Sequence, residues 1–320
     1  MNKAQIQLGT SLYSMTSDYV SQKRDLRGCL ESLRHMGFQG IEIVASQMVP
    51  EYPFPSDKWI AQFRQMLDDN GMEPVCYSAY IDYGLRPQRD LTHDEIVQFT
   101  LNDLMIAKKA GFPLVRTQHA ISPEIMEEMI PWCEKLGVKL SVEMHHPHHP
   151  HLPVWDKYLE LFHGKGKDIL GMVPDFSIFQ RKPHKLIVQR LTRSGFDPER
   201  LSRVIDLHQA HAPLEEAQAL CATQQEREYT QMIYEKFLPT PVEDLDILIP
   251  VSFYVHGKFY YLENGEHDEC IPFEEILPRI QKLGYKGFIA AEYEGHHFDM
   301  GIDVDEQMAR YAQIFHRYIH

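Results

Sequence analysis

Four residues in the second half of the chain have the side chains of a divalent-metal site: Glu143, Asp175, His256 and Glu292. Each comes at or just after the end of a short apolar segment, so each is predicted to lie near the end of a β-strand. Three carboxylates and one imidazole form a hard, mostly oxygen ligand set that suits a divalent cation. A cation bound there could polarise a carbonyl group and ease removal of the neighbouring proton, as sugar chemistry requires.

The spacing of these four residues indicates successive strand–helix units. Glu143 and Asp175 are 32 residues apart, and His256 and Glu292 are 36 residues apart. Asp175 and His256 are 81 residues apart, which fits one such unit enlarged by an insertion. If the strands are parallel in one barrel, all four side chains meet at the same rim. The alternative is a set of charged rim residues, each paired with an arginine or a lysine.

His145 is a candidate general base because it lies two residues after Glu143. In a continuing strand the two side chains would point to the same side of the sheet. The imidazole of a histidine also titrates near neutral pH, as a proton acceptor should. The catalytic residues predicted from the sequence are therefore His145, Glu143 and Glu292, and the two glutamates act both as ligands and as proton relays.

Other polar and aromatic residues are weaker candidates. The histidine-rich run 146–151 has the composition of a loop, and His208 and His211 have helical spacing but no strand to present them as ligands in place of His256. Phe176, Phe179 and Phe259 could line the mouth or pack beneath the insertion. Several polar residues follow predicted strands and could bind sugar hydroxyls: Tyr13, Ser14, Glu42, Arg116, His119, His296 and His297.

A helix end, a glycine and an apolar strand recur four times, around Gly37, Gly111, Gly137 and Gly284. Glycine ends a helix there by adopting a positive φ, and alternating helices and strands predict a parallel sheet. Strands are predicted near 5–11, 40–44, 73–78, 113–117, 138–143, 169–174, 250–256 and 287–292. Helices are predicted over 25–36, 57–70, 92–110, 122–136, 273–283 and 304–318. The predicted fold class is α/β, a (β/α)8 TIM barrel; a doubly wound sheet is the alternative, but no G-x-G-x-x-G motif follows the first strand.

The segment from about 179 to 240 interrupts this alternation with polar, helical sequence. It predicts a helical insertion between strands 6 and 7 of a single domain that spans residues 1–320. On a barrel it would lie beside the catalytic mouth, where it could cap the site or form an interface. The alternative is a lengthened outer helix without a role in function.

Composition and charge exclude some classes of function. The 46 acidic residues exceed the 32 basic ones, for a formal net charge of −14, and this disfavours nucleic acid as a partner. The five cysteines are dispersed and form no C-x-x-C motif, which disfavours a disulfide framework. No secretory signal or bilayer-spanning run is present, so the sequence predicts a cytoplasmic protein without a membrane partner.

The chain resembles the xylose-isomerase-like barrel superfamily of sugar phosphate isomerases and epimerases. The resemblance covers most of the chain and rests on the segments 37–42, 141–145, 174–177 and 284–288. It implies a divalent ion, commonly Mn²⁺, held by Glu, Asp, His and Glu of the late strands, with Mg²⁺, Co²⁺ or Zn²⁺ as alternatives. Carried over to this chain, the implied ligands are Glu143, Asp175, His256 and Glu292.

Two branches of this superfamily fit the chain less well. Ketose epimerases usually have a histidine three residues after the metal-binding aspartate, and this chain has Ile178 there. The two-glutamate proton shuttle of those enzymes is therefore not expected. Metal-dependent AP endonucleases have more histidine ligands and a basic surface, and the chain lacks both.

The chain more closely resembles the larger subunit of bacterial C-glycoside deglycosidases. This resemblance rests on the segments 255–260 and 292–296 and on the pair Glu143 and His145. It implies an enzyme that splits the carbon–carbon bond of a 3-oxo-C-glycoside. It also implies a small β-sandwich-type partner, the beta subunit, and hence a hetero-oligomer.

The predicted function is a metal-dependent carbon–carbon lyase. A base removes the proton next to the 3-oxo group, and β-elimination then releases the aglycone. The alternative enzyme is a metal-dependent isomerase or epimerase of free sugars or keto-inositols, which returns the proton instead of eliminating. The alternative outside catalysis is a barrel that serves as a binding or scaffold subunit.

Overall fold

Eight parallel strands surround the centre of the molecule in a computed structural model that describes residues 6–118, 121–238 and 240–320. The strands are β1 (Gln7–Ser11), β2 (Gly40–Val44), β3 (Glu73–Ser78), β4 (Leu114–Gln118), β5 (Lys139–Met144), β6 (Leu170–Pro174), β7 (Val255–Phe259) and β8 (Phe288–Tyr293). They form one sheet in the order β6-β5-β4-β3-β2-β1-β8-β7. Isolated parallel bridges join the two outer strands at Met172–Ser252 and Asp175–His256. The sheet is therefore a nearly closed barrel, and the predicted α/β TIM-barrel class is confirmed.

Helices follow the strands around the outside of the barrel. They are α1 (Thr16–Val20), α2 (Leu26–His35), α3 (Ala45–Met48), α4 (Asp57–Asn70), α5 (His93–Ala110), α6 (Pro123–Leu136), α7 (Asp156–His163), α8 (Lys185–Arg193), α9 (Pro198–Gln209), α10 (Leu214–Ala219), α11 (Gln224–Lys236), α12 (Leu245–Leu248), α13 (Phe273–Lys282) and α14 (Val304–Tyr318). No helix among the described residues is both long and apolar enough to cross a membrane. All five cysteines are buried and unpaired.

The repeated glycines end helices as the sequence predicts. Gly37, Gly111, Gly137 and Gly284 all have positive φ, between 64° and 93°. Glycine adopts this conformation without the steric cost that a Cβ would bring. Each glycine thus stops one helix a few residues before the next strand begins.

The seventh strand begins later than predicted. The segment 250–256 was expected to be extended, but Ile249–Val251 is a 3-10 turn and β7 starts at Val255. Pro250 lies in this turn and has no N–H for a strand ladder. His256 is consequently the second residue of β7 and not its last, yet it still bridges Asp175 at the end of β6.

Helices α8 to α11 lie between β6 and β7 and have an apolar core of their own. Its buried residues are Leu191, Phe196, Leu201, Val204, Ala217, Cys221, Ile233 and Phe237. Contacts from the loop after β5 tie these helices and α12 to the barrel: His146 Nε2 lies against the carbonyl oxygen of Lys236, and His151 Nε2 lies 3.0 Å from Asp244 Oδ1. This helical layer therefore stands beside the carboxyl end of the barrel.

A buried carboxyl group in α5 makes stability depend on pH. Asp103 is 1% exposed, and its best contact is a weak one, 3.5 Å from the Tyr52 hydroxyl. Burial raises the pKa of Asp103 to about 8. The folded protein keeps this proton up to about pH 8, whereas the unfolded chain loses it near pH 4. Ionisation therefore favours unfolding increasingly as pH rises from 4 to 8.

Asp103→Asn is expected to stabilise the protein at pH 8, by roughly 2 to 5 kcal/mol, and to change little at pH 4. The measurement is urea unfolding of variant and wild type across this range. Asp94→Asn is the control, because it removes a charge from an exposed position of the same helix. If the stability difference between Asp103→Asn and wild type does not change with pH, the pKa of Asp103 is the same in the folded protein as in the unfolded chain, and burial does not raise it.

Candidate metal centre

The four predicted ligands meet in one buried group at the carboxyl end of the barrel. The potential ligand atoms of Glu143, Asp175, His256 and Glu292 all lie within 4.8 Å of one another. Ligands on opposite sides of one ion are about 4 to 5 Å apart when each is bound at roughly 2.0 to 2.5 Å. The spacing therefore fits a single divalent cation.

Strand ends place these side chains. Glu143 is the penultimate residue of β5, Asp175 directly follows β6, and Glu292 is the penultimate residue of β8. His256 joins them because β7 starts late and pairs with Asp175 at the rim. Alternation along each strand then points the side chains inward.

Two carboxylate oxygens in this group accept no well-directed hydrogen bond. Asp175 Oδ2 and Glu292 Oε2 are buried and accept no hydrogen bond of good geometry in the described part of the chain. Glu292 Oε2 does lie 3.1 Å from both Lys258 Nζ and His256 Nδ1. These distances are those of ion pairs, but the angles are poor for hydrogen bonds. Buried carboxylate oxygens without well-directed hydrogen bonds are costly, and a bound cation would compensate them. The residues therefore fit a divalent metal.

Glu42 holds the far side of the His256 ring. His256 Nε2 lies 2.8 Å from Glu42 Oε2, while Nδ1 lies 2.7 Å from Glu143 Oε1. Glu42 itself accepts a hydrogen bond from Ser11 Oγ at 2.7 Å. An imidazole whose second nitrogen donates to a carboxylate is the usual arrangement around a bound metal. Nδ1 is thus the nitrogen available to the ion, and Glu42 sets the ring orientation.

Arg116 and Lys258 supply the positive charge around the ligands. Arg116 Nη1 donates to Glu143 Oε2 at 2.9 Å, and both terminal nitrogens donate to the Tyr80 hydroxyl at 3.2 Å. Lys258 Nζ lies 2.8 Å from Glu294 and 3.1 Å from Glu292. Five carboxylates, including Glu42 and Asp175, thus face two permanent cations, an imbalance that a divalent ion would reduce.

Protonation of the group reflects the same excess of negative charge. Burial raises the pKa of Asp175 to about 7, and Lys258 offsets this only in part. Burial acts in the same direction on Glu143, but Arg116 and His256 outweigh it and lower its pKa to about 2. Burial lowers the pKa of His256, but the surrounding carboxylates raise it well above the usual value. Protons thus neutralise part of the charge that a bound cation would otherwise balance.

A cavity of about 500 Å³ opens above the ligands. Its lining includes Glu143, Glu292, Lys258, Glu294 and His145. His145 and Glu143 therefore face the same space, as their spacing predicts. His145 Nδ1 lies 2.7 Å from the carbonyl oxygen of His146, so Nδ1–H donates to that oxygen, and in the neutral imidazole Nε2 is the acceptor.

Of the other candidates predicted at the rim, some line the cavity and others hold the barrel backbone or are buried. Tyr13 lines the cavity, and its hydroxyl lies 2.6 Å from His297 Nε2. Ser14 instead accepts a hydrogen bond from the backbone N–H of Tyr293 and donates to the Ala291 carbonyl. His296 is buried beside Tyr13, with ring centroids 4.9 Å apart. His119 lies outside the described residues.

The competing histidines are absent from the ligand group found in the described residues. His208 lies on α9 and packs edge-on against Tyr234, and His211 follows the end of that helix. Phe176 packs against Phe273, and Phe259 stacks on Tyr311, so the first alternative for these phenylalanines, a wall of the mouth, is wrong. The aromatic residues that line the mouth are Tyr13, Tyr80 and Tyr260.

Sequence reasoning overlooked Lys258 as a site residue. It lies two residues after His256 on β7 and pairs in register with Glu292. The two-residue alternation that places His145 beside Glu143 would have placed Lys258 beside His256. Tyr80 carried no such signal, because it lies beyond the end of β3 in a loop.

Glu42→Gln is expected to weaken divalent-metal binding by about 10- to 100-fold, because the amide no longer holds the His256 ring as a carboxylate does. Titration of the metal-free protein with Mn²⁺, followed by electron paramagnetic resonance, measures this change. Glu73→Gln is the matched control, an exposed glutamate at the start of the adjacent strand. Equal affinity of Glu42→Gln and wild type would count against an orienting role for Glu42.

Comparison with known proteins points to one family. The model of the family described as xylose isomerase-like TIM barrel matches residues 30–315. The C-glycoside deglycosidase alpha subunit of Arthrobacter globiformis is 30% identical over 92% of this chain and 87% of its own length. The 3'-dehydrocarminate deglycosidase alpha subunit of a Microbacterium species is 28% identical over 97% of this chain and 94% of its own.

Solved structures share the fold. A xylose isomerase-like TIM barrel protein from Mycobacterium smegmatis, solved in complex with magnesium, has a TM-score of 0.56 and 16% identity. The match covers 98% of this chain and 97% of that one. At this identity the comparison establishes the barrel alone, and the case for a metal rests on the ligand geometry described above.

Proposed function

The chain belongs to the xylose isomerase-like TIM barrel family of enzymes, and we propose that it is the alpha subunit of a C-glycoside deglycosidase. It would be a lyase that cleaves the carbon–carbon bond between a 3-oxo sugar and its aglycone. One observation carries the mechanism: a buried metal-ligand group and the histidine His145 face the same cavity. Relatives named as deglycosidase alpha subunits, similar over nearly the whole chain, support the choice of reaction.

Glu143, Asp175, His256 and Glu292 would hold the divalent ion, for which we propose Mn²⁺. When bound, such an ion polarises a ketone oxygen and makes the neighbouring C–H more acidic. Glu42 keeps His256 Nδ1 turned towards the other ligands, 2.7 Å from Glu143 Oε1. Arg116 holds Glu143 from the opposite side. The ligand geometry is thus set by charged neighbours before substrate arrives.

His145 would act as the general base. Because its Nδ1–H donates to the His146 carbonyl oxygen, its Nε2 carries the lone pair. In the proposed reaction Nε2 takes the proton from C2 of the 3-oxo sugar. The electron pair left at C2 forms the enediolate with the C3 oxygen.

The second half of the reaction breaks the bond between C1 and the aglycone carbon. The enediolate collapses to a C1–C2 double bond with the C3 ketone restored, and the electron pair of the broken bond goes to the aglycone carbon, which takes up a proton. Lys258, held by Glu292 and Glu294, presents its ammonium group to this cavity and donates hydrogen bonds to sugar oxygens. The products are an unsaturated 3-oxo sugar and the free aglycone.

A second, smaller subunit belongs to this proposal. The relatives that support it carry the name alpha subunit, so we infer a beta subunit and a hetero-oligomer. We also propose that the enzyme acts in the cytoplasm.

Ile178, three residues after Asp175 and 2% exposed, stands where a ketose epimerase would have a further polar group. A single domain with a helical insertion between β6 and β7 completes the proposed organisation.

Proton NMR in D2O tests the reaction with the Mn²⁺-loaded protein and two substrates, a 3-oxo-C-glucoside and a free ketose. Release of the aglycone from the first is the expected result. Deuterium incorporation and epimer formation from the ketose, without aglycone release, would favour an isomerase or epimerase instead. Inactivity towards both substrates in a fully metallated protein would contradict activity of this subunit alone.

A further inference from the structure

Tyr80 belongs to the wall of the cavity above the ligands. It comes two residues after β3, where the N–H of Ala79 donates to the Arg116 carbonyl oxygen at 2.8 Å and so extends the pairing with β4. This contact brings Tyr80 to the rim, where it lines the same cavity as His145 and Glu143. The phenol and the base proposed for the reaction therefore face one space.

Arg116 fixes the direction in which the Tyr80 hydroxyl can donate. Its Nη1 and Nη2 both donate to the Tyr80 hydroxyl oxygen at 3.2 Å. A guanidinium has donors only, whereas a phenol has one O–H and two lone pairs. The two contacts thus engage the lone pairs of the Tyr80 oxygen, and its proton must point elsewhere. Among the described residues this O–H has no acceptor, so the cavity is the space left for one.

The position of Arg116 is itself fixed by carboxylates. Arg116 is fully buried, its Nη1 also donates to Glu143 Oε2 at 2.9 Å, and its Nη2 lies 3.5 Å from Glu42 Oε1. One guanidinium thus joins the Tyr80 phenol to a carboxylate of the ligand group. The Tyr80 donor is in place before substrate binds, and a preorganised donor needs no rearrangement when negative charge develops beside it.

The surroundings of Tyr80 make it a strong donor that keeps its proton. Hydrogen bonds from a cation to the phenol oxygen polarise the O–H and strengthen the bond that it donates. Burial raises the pKa of Tyr80, Arg116 opposes this only in part, and Glu143 raises the pKa further. The phenol therefore stays protonated at neutral pH. A buried neutral donor of this kind can stabilise the oxyanion that forms when a carbon next to a ketone loses its proton.

We propose that the Tyr80 hydroxyl donates a hydrogen bond to the substrate oxygen that becomes negative when the C2 proton leaves. In the proposed reaction this is the C3 oxygen, whose negative charge grows as His145 Nε2 takes the proton and falls again when the ketone is restored. Tyr80 gives up no proton in this role. The role rests on the proposed function through its first half, the proton abstraction that a lyase shares with an isomerase or epimerase.

Binding of glycolohydroxamate to the Mn²⁺-loaded protein, measured by isothermal titration calorimetry, tests this role. The hydroxamate anion is planar and carries its negative charge on oxygen, so it resembles the enediolate. Tyr80→Phe keeps the ring and removes only the hydroxyl, and it is expected to raise the Kd by about 10- to 100-fold, the effect of losing one hydrogen bond to a charged group. The Kd for dihydroxyacetone, a neutral ketone, should rise less, because the donor acts mainly on developing charge.

Tyr83→Phe is the matched control, because it removes a hydroxyl from the same loop but outside the cavity. It should bind the hydroxamate as wild type does. The Kd for Mn²⁺ should be unchanged in both variants, since neither residue belongs to the ligand group. Incorporation of 3-fluorotyrosine at position 80 gives a further variant should Tyr80→Phe misfold. Fluorine leaves the hydroxyl in place and makes it a stronger donor, so the Kd for the hydroxamate is expected to fall.

Hydroxamate binding requires no cleavage, so its outcome separates the role of Tyr80 from the proposed function. A loss of affinity that is larger for the hydroxamate than for the ketone would support the role even in a protein that releases no aglycone. Wild-type affinity in Tyr80→Phe, an equal loss for both ligands, or no hydroxamate binding to wild type would overturn it whatever the lyase assay shows. Weaker Mn²⁺ binding in Tyr80→Phe would also overturn it, because Tyr80 would then support the metal site through Arg116.

Discussion

Glu292→Gln is expected to purify without the divalent metal that wild type retains, with a rise in the Kd for Mn²⁺ of more than about 100-fold. Loss of an outer-shell partner typically costs 10- to 100-fold, and Glu292 belongs to the ligand group itself. A neutral amide oxygen binds a hard cation more weakly than a carboxylate does. Metal content by mass spectrometry and Mn²⁺ titration measure the change.

The same variant should also lose the stabilisation that metal brings. An ion present at 100 times its Kd stabilises the folded wild type by about 2.7 kcal/mol, so Mn²⁺ should raise the Tm of wild type but not of Glu292→Gln. Glu294→Gln is the control: it removes a carboxylate from the same cavity, two residues away, but outside the ligand group. A Glu292→Gln protein that stays fully metallated would refute the assignment of this site.

The barrel was predictable from the sequence because the signals that end its helices and delimit its strands are local. Four glycines end helices by positive φ, and each apolar run after them is short enough to be only a strand. Glu143, Asp175 and Glu292 followed directly from strand ends, since parallel strands bring their carboxyl ends to one rim. Three carboxylates and one imidazole at successive strand ends then indicated a divalent-metal site, and the family resemblance implies the same four residues.

The start of β7 was not predictable from the same pattern. Residues 249–251 are apolar in sequence, but they form a 3-10 turn that contains Pro250 and continues from α12. The sequence pattern places His256 at a strand end, but it is the second residue of β7 and lies at the rim only because the strand begins late. A periodicity argument fixes neither the start of a buried strand nor its height in the barrel.

Contacts between distant segments determine the rest of the site. Glu42 and His256 are 214 residues apart, and only the closed barrel brings them to 2.8 Å. Residue types gave no reason to join these segments, so the sequence predicts the four candidate ligands but not the partners that support them.

His145→Ala is expected to lower aglycone release by about 100- to 10,000-fold, the usual contribution of a positioned general base. Glu143 and the other ligands keep their carboxylates and imidazole in this variant, so Mn²⁺ content should equal that of wild type. The measurement pairs kcat for cleavage of a 3-oxo-C-glucoside with metal content of the same sample. Deuterium exchange at C2 should fall together with cleavage, because both need the same proton transfer.

The reason to expect so large an effect lies in the tautomer that the loop imposes on His145. The His146 carbonyl oxygen accepts a hydrogen bond from Nδ1–H at 2.7 Å, so the neutral ring keeps Nε2 as its acceptor, and His145 lines the cavity; alanine leaves no acceptor there. His149→Ala provides the control, since that histidine belongs to the same loop and does not line the cavity; it should cleave as wild type does. If His145→Ala lost its metal as well, the residue would be supporting the site and the base would have to be sought elsewhere. Full metal content with unimpaired cleavage would equally exclude His145 as the base, whereas full metal content with abolished exchange would assign the proton transfer to it.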